Sequence, residues 1–120
     1  MEYTFTTGEP ITEAAALAEV AAMGLHGLAF DDVHEHDEVL HWHEFAATAF
    51  VISGPGSFAD EHGNVTLTGP GCRVQAPAGW LHRTLAGTQQ RVVLGTDLPY
   101  KAWNMPIDKD PADRPAALRA

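Results

Sequence analysis

The chain is 120 residues long, one domain's worth, with a net charge of −9 and a single cysteine, Cys72, which excludes an internal disulfide. All seven Lys and Arg lie at or after Arg73, while the residues before it carry twelve carboxylates and no basic side chain. That distribution argues against nucleic acid, an anionic membrane surface and a secretory leader, and no run approaches the ~20 apolar residues of a membrane span. The expectation is a cytoplasmic protein whose partners are metals, small molecules or protein.

Residues 12–23 predict a short helix. Thr12 is placed to cap it, Glu13 sits in its first turn, the alanine-rich run 14–18 has high helix propensity, and Gly24 stands where a helix stops. Leu17, Val20, Ala21 and Leu25 form an apolar face directed at the body or at a partner subunit. From Gly27 the texture changes to short β-branched and aromatic segments separated by Gly, Pro, Asp and Asn. They fall at 27–31, 38–43, 45–53, 56–60, 64–68, 72–76, 81–86 and 90–96. Glu61-His62-Gly63-Asn64 reads as a hairpin turn and Gly69-Pro70-Gly71 as a break. Eight short strands predict an all-β sandwich or closed barrel. After Pro99 the pattern is lost, and Pro106, Pro111 and Pro115 punctuate an extended tail. Trp103 is its large anchor, assigned to the core, a pocket or a dimer contact. The expected division is an N-terminal helical segment at 1–26, a β-barrel at 27–98 and an extended tail at 99–120.

His41 and His43 stand two apart in a predicted strand, so both imidazoles project from one face and Trp42 from the other. Two such imidazoles can take adjacent positions on a metal ion; a solvated polar strand face is the alternative. The same parity puts Phe45, Ala47 and Ala49 beside them, an apolar wall with room for a ligand. Further on, the segment from Gly71 to His82 runs a strand into a Pro77-Ala78-Gly79 turn and starts a new strand at the histidine. That turn sets His82 at a defined angle, or is a plain hairpin with a surface histidine. Gln75 in this segment is a candidate to hydrogen-bond a bound ligand. His34-Glu35-His36, next to Asp37 and Glu38, reads as a source of a fourth ligand or as a polar loop. Cys72 reads as a small core residue.

Together the two histidine segments resemble the motifs of the cupin superfamily. His41-Trp42-His43, a short spacer and Gly54 follow the first motif. Gly71, Pro77, Gly79 and His82 match the second position for position, and the resemblance covers residues 38–96. It departs at the first motif's glutamate, which should fall near 47 or 48, where this chain has Ala47 and Thr48. Glu44 is close in sequence, but parity turns it away.

The resemblance implies a cupin-type jelly-roll barrel, commonly a homodimer. The interface would draw on the helix and the outer positions Phe50 and Ile52. It implies one divalent transition metal on His41, His43 and His82, with iron first and nickel, copper, manganese or zinc as alternatives. Three neutral ligands leave the ion its full formal charge and open positions for a small chelating substrate. An oxygenase or dioxygenase is the first expectation. The alternatives are a metal-assisted isomerase, lyase or cyclase, and a non-catalytic small-molecule-binding protein. No protein base is evident within the motifs.

Overall fold

A computed structural model describes residues 2–118; position 1 of the expected N-terminal segment and positions 119 and 120 of the expected tail lie outside them. Helix α1 (Glu13–Ala22) begins where Thr12 Oγ1 accepts the Ala15 N–H at 3.1 Å, filling one orphan donor of the first turn. It ends in a Schellman arrangement, with the Leu25 N–H donating to the Val20 carbonyl and the Gly24 N–H to that of Ala21.

Among the described residues eight strands accompany it: β1 (Thr4–Thr6), β2 (His26–Val33), β3 (Ala47–Ser53), β4 (Gly56–Asp60), β5 (Val65–Thr68), β6 (Arg73–Ala76), β7 (His82–Thr84) and β8 (Gln89–Thr96). They form two antiparallel sheets, one of five strands in the order β1-β6-β3-β8-β2 and one of three in the order β5-β4-β7. Among the described residues no ladder joins the sheets edge to edge, so the closed barrel is corrected to an open jelly-roll sandwich. The chain leaves the large sheet at Gly54-Pro55, next to a register shift between Val51 and Ser53, and re-enters in the small one. The three-residue β1 was not among the expected strands, being too short to show a period.

The expected strand at 38–43 is reduced to a two-residue bridge. His41 exchanges both backbone hydrogen bonds with His82, each at 3.0 Å. Trp42 exchanges both with Lys109, at 3.2 and 3.0 Å. Successive residues of an extended segment turn their backbone groups to opposite sides. The histidine segment is therefore stitched between β7 and the C-terminal part of the chain.

The apolar core lies on the outer face of the large sheet, under α1. Ala16, Val20, Phe50 and Val93 are at most 2 % exposed, with Leu17, Leu25 and Ile52 packed around them. Fully burying side chains of this kind contributes roughly 1.5–3 kcal/mol each for the larger ones. Phe50 and Ile52, expected as outer positions for a dimer contact, are instead packed under the chain's own helix. Arg73 to Glu19 at 2.6 Å and Arg91 to Glu13 at 2.7 Å lash that helix to the sheet.

Past Pro99 the chain folds back in short 3-10 turns at Tyr100–Ala102, Pro111–Asp113 and Ala116–Leu118. The Trp42 indole N–H donates to the Asp110 carbonyl at 2.8 Å, and Arg114 donates to the Gly79 carbonyl at 3.0 Å. Both histidine segments are thus tied to the same C-terminal stretch. No helix among the described residues is long and apolar enough to cross a membrane.

Candidate metal centre

The second motif folds as its residues require. Pro77 to Trp80 is a turn closed by the Trp80 N–H on the Pro77 carbonyl at 3.4 Å. Its third position, Gly79, has φ +85°, the left-handed value a type II turn demands there. The Gly79 N–H donates to the His43 carbonyl at 2.9 Å, which locks the turn to the first motif. His82 then opens β7, directly opposite His41.

The three imidazoles meet. Ring centroids lie 5.0 Å apart for His41–His43, 4.5 Å for His41–His82 and 4.9 Å for His43–His82. Each Nδ1 faces a backbone carbonyl: Val39 at 2.7 Å for His41, Ile107 at 3.1 Å for His43 and Trp80 at 3.0 Å for His82. A carbonyl has no proton to give, so each Nδ1 is the donor and the Nε2 lone pair is left for another partner. Burial pushes His82 down to about 3, with the neighbouring His43 and His41 adding to the shift. Burial also lowers His43, against the opposing pull of the Ile107 carbonyl. Both rings are therefore neutral at pH 7, the form a metal takes. One ligand atom from each histidine lies within 4.8 Å of the other two, a set that could hold a metal ion. The carbonyls fix ring orientation as outer-shell partners of metal-bound histidines do.

These rings form part of the wall of a cavity of about 430 Å3 between the sheets. Phe45, Ala47 and Ala49 line it, together with Leu28, Phe30, Val51, Val92 and Leu94. Phe45 stacks on His43 at 5.0 Å, and Trp103 stacks on Phe45 at 4.5 Å, so Trp103 serves the pocket. Trp80 lies against His82. Gln75 is a correction. Ala76 and Val74 pair with the inward Ala47 and Ala49, so Gln75, opposite Thr48, is turned out and exposed. It lines a separate outer groove. Neither His34 nor His36 joins the group; His34 Nε2 lies 2.6 Å from Asp32 Oδ1.

Two carboxylates near the histidines had no signal in the sequence. Glu38 lines the cavity, its Oε1 accepting the Thr84 N–H at 2.9 Å. Asp108 Oδ1 stands 3.5 Å from His41 Nε2. Glu38, His41 and Asp108 form a second set of potential ligand atoms within 4.8 Å of one another. Glu38 opened the expected strand 38–43 with a parity opposite to that of His41 and His43, and Asp108 stood in a segment with no period, so alternation directed neither into the cavity. Glu44 faces outward and is held below its usual value by hydrogen bonds from Asn104.

No family model matches the chain, and no curated protein does. Solved structures do. A DUF861-family protein from Thermotoga maritima is 17 % identical with a TM-score of 0.53, over 79 % of this chain and 99 % of that one. The polyketide cyclase RemF from Streptomyces resistomycificus is 19 % identical with a TM-score of 0.51, over 92 % and 75 %. The DMSP lyase DddQ from Ruegeria pomeroyi DSS-3 is 24 % identical with a TM-score of 0.51, over 60 % of this chain and 38 % of that one. At such identities the likeness speaks for the fold alone, a jelly roll shared with cupin-type proteins, and within it the group His41, His43 and His82 could hold a metal.

Proposed function

We propose that the protein is a metal-dependent enzyme acting on a small, largely apolar molecule that carries a chelating oxygen or sulfur group, by proton transfer without net oxidation: elimination, isomerisation or ring closure. The observation that carries this reading is the orientation of the three rings. Each is held through Nδ1 by a carbonyl, leaving the Nε2 atoms for a metal beside a mostly apolar cavity. A divalent ion held there supplies Lewis acidity to the chelating group. The chain's own residues do the rest. Phe45, Ala47 and Ala49 shape the wall beside the histidines, and the Trp103–Phe45 stack shields it. Of the carboxylates that line the cavity, Asp32, Glu38 and Asp108, we assign Glu38, oriented by the Thr84 N–H, to take a proton from the substrate.

Oxygen chemistry at the same site is the sequence-based first expectation. Glu38 favours the non-oxidative reading, since a positioned base serves deprotonation directly. Elemental analysis of fresh protein beside a folded His41→Ala/His82→Ala variant tests the metal: about one equivalent in the parent, none in the variant. The loaded protein is then incubated with hydroxy, oxo and thio acids bearing apolar substituents, in air and under nitrogen. Products of unchanged oxygen content, formed equally under nitrogen and lost in Glu38→Gln, support the proposal. Products that gain oxygen only in air return the oxygenase, and binding without turnover leaves a carrier or sensor.

A further inference from the structure

The first cupin motif lacks its carboxylate here, and the cavity face has a carboxylate that the motif does not supply. Trp42 pairs with Lys109 in an antiparallel bridge. That register sets Asp108 across from His43, and cross-strand neighbours share a face. The parity is visible on both sides. Lys109 Nζ lies 3.8 Å from Glu44 on the outer face, while on the inner one Asp108 Oδ1 lies 3.5 Å from the metal-facing Nε2 of His41; toward His43 it meets the carbonyl-bound Nδ1, at 3.7 Å. The backbone on either side of Asp108 is pinned. The Ile107 carbonyl accepts from His43, and Lys109 makes both bonds to Trp42. Lys109 Nζ also donates to the Asn104 and Pro106 carbonyls, each at 2.8 Å, which holds the loop closed. Two ligands about 2.1 Å from a tetrahedral ion stand about 3.4 Å apart, close to the observed separation of Asp108 from His41.

We propose that Asp108, carried in by the C-terminal segment, is the carboxylate ligand of the metal centre and replaces the glutamate absent at Ala47. The proposal rests on the three-histidine reading. Asp108 shares a set of potential ligand atoms with His41 and Glu38, distinct from the set of three histidines, so His41 is the ligand that would link the carboxylate to the triad. The bound carboxylate removes one unit of the charge that three imidazoles would leave on the metal.

The test uses cobalt(II) added to the metal-free full chain, with affinity from competition against a chelator and coordination from the visible absorption spectrum. Asp108→Asn should stay folded, weaken cobalt binding on the order of 100-fold, and shift the absorption bands; outer-shell losses run to about 10–100-fold. Asp108→Asn combined with Ala47→Glu, which returns a carboxylate to the motif position, should recover affinity and most of the spectrum. Parental affinity in Asp108→Asn, or weakened affinity with an unchanged spectrum, overturns the ligand role. His82→Ala separates the two readings: if it loses cobalt while Asp108→Asn does not, the histidine centre stands and this proposal falls. If the parent itself takes no cobalt, both fall.

Discussion

The indole of Trp80 lies flat on the imidazole of His82, with centroids 4.3 Å apart and planes within 8° of parallel. The same residue holds the ring from behind, since the Trp80 carbonyl accepts from His82 Nδ1 at 3.0 Å. One residue therefore fixes both the plane and the tautomer of a candidate ligand. Trp80 is itself braced edge-on by Phe58 at 5.6 Å.

This contact makes Trp80 a reporter. Cobalt or copper bound at the three histidines should quench a component of the tryptophan emission, and Trp80→Phe should remove that component while keeping the metal. Trp80→Ala keeps the backbone carbonyl but empties a packed site, with an expected loss of about 3–5 kcal/mol. Unfolding in urea and fluorescence titration check both. Quenching that survives in Trp80→Phe would place the metal nearer Trp42 or Trp103.

Acid should destabilise the metal-free protein in a definite direction. His82 in the folded state is lowered to about 3 and His43 is lowered too, while the unfolded chain protonates both near 6.5. Below about pH 6.5 the unfolded state binds more protons, so stability falls as pH drops toward 3 and is flat above that window for these groups. Glu44 and Asp60, both lowered by hydrogen bonds, act in the same sense at lower pH. Urea midpoints at pH 7, 6 and 5 should decline in the parent and decline less in His82→Gln. Equal slopes would remove His82 from the account.

Gly54 should tolerate no side chain. Its φ is +87°, and a Cβ there would sit 1.9 Å from the Gln89 carbonyl oxygen and 3.2 Å from Gln90 Cα. These are backbone atoms of β8, so the corner between the sheets would have to open. Gly54→Ala should lower the melting temperature by well over the few degrees that correspond to about 1 kcal/mol in a domain of this size. Gly63→Ala, at φ +79° with nothing within 4 Å, should cost only the conformational strain of about 1–2 kcal/mol.

Trp103 should control access more than folding. It is half-buried, stacked on Phe45, with its indole N–H on the Leu98 carbonyl at 3.1 Å. Trp103→Ala should speed amide exchange of Ile107 and Lys109 and let bulky apolar dyes into the cavity. Its urea midpoint should change less than that of Trp80→Ala. Unchanged exchange at those amides would show that Trp103 does not hold the segment.

The histidine triad was legible because its signal is local: two-residue alternation for His41 and His43, and a proline–glycine turn for His82. Helix α1 was legible from Thr12 and its alanines, and the turn at Gly63 from its residue types. The return of the C-terminal segment was not. Its fastening depends on backbone groups of Trp42 and Lys109 that are 67 positions apart, and backbone groups leave no trace in side-chain pattern. Gln75 could be placed only with the register that sets it against Thr48. The outward Phe50 and Ile52 read as an interface because the sequence does not tell which face of the sheet α1 covers.

Strand β3 sends Phe50 into the core beneath α1 while Ala49 and Val51 face the cavity. Successive positions thus meet different physical demands. Residues under the helix are constrained by folding, and their neighbours by whatever molecule fills the cavity. Such a layout lets cavity residues drift or be redesigned one at a time without dismantling the helix contact. Exchanges at Ala47, Ala49 and Val51 would reshape the cavity while Phe50 and Val93 stay fixed.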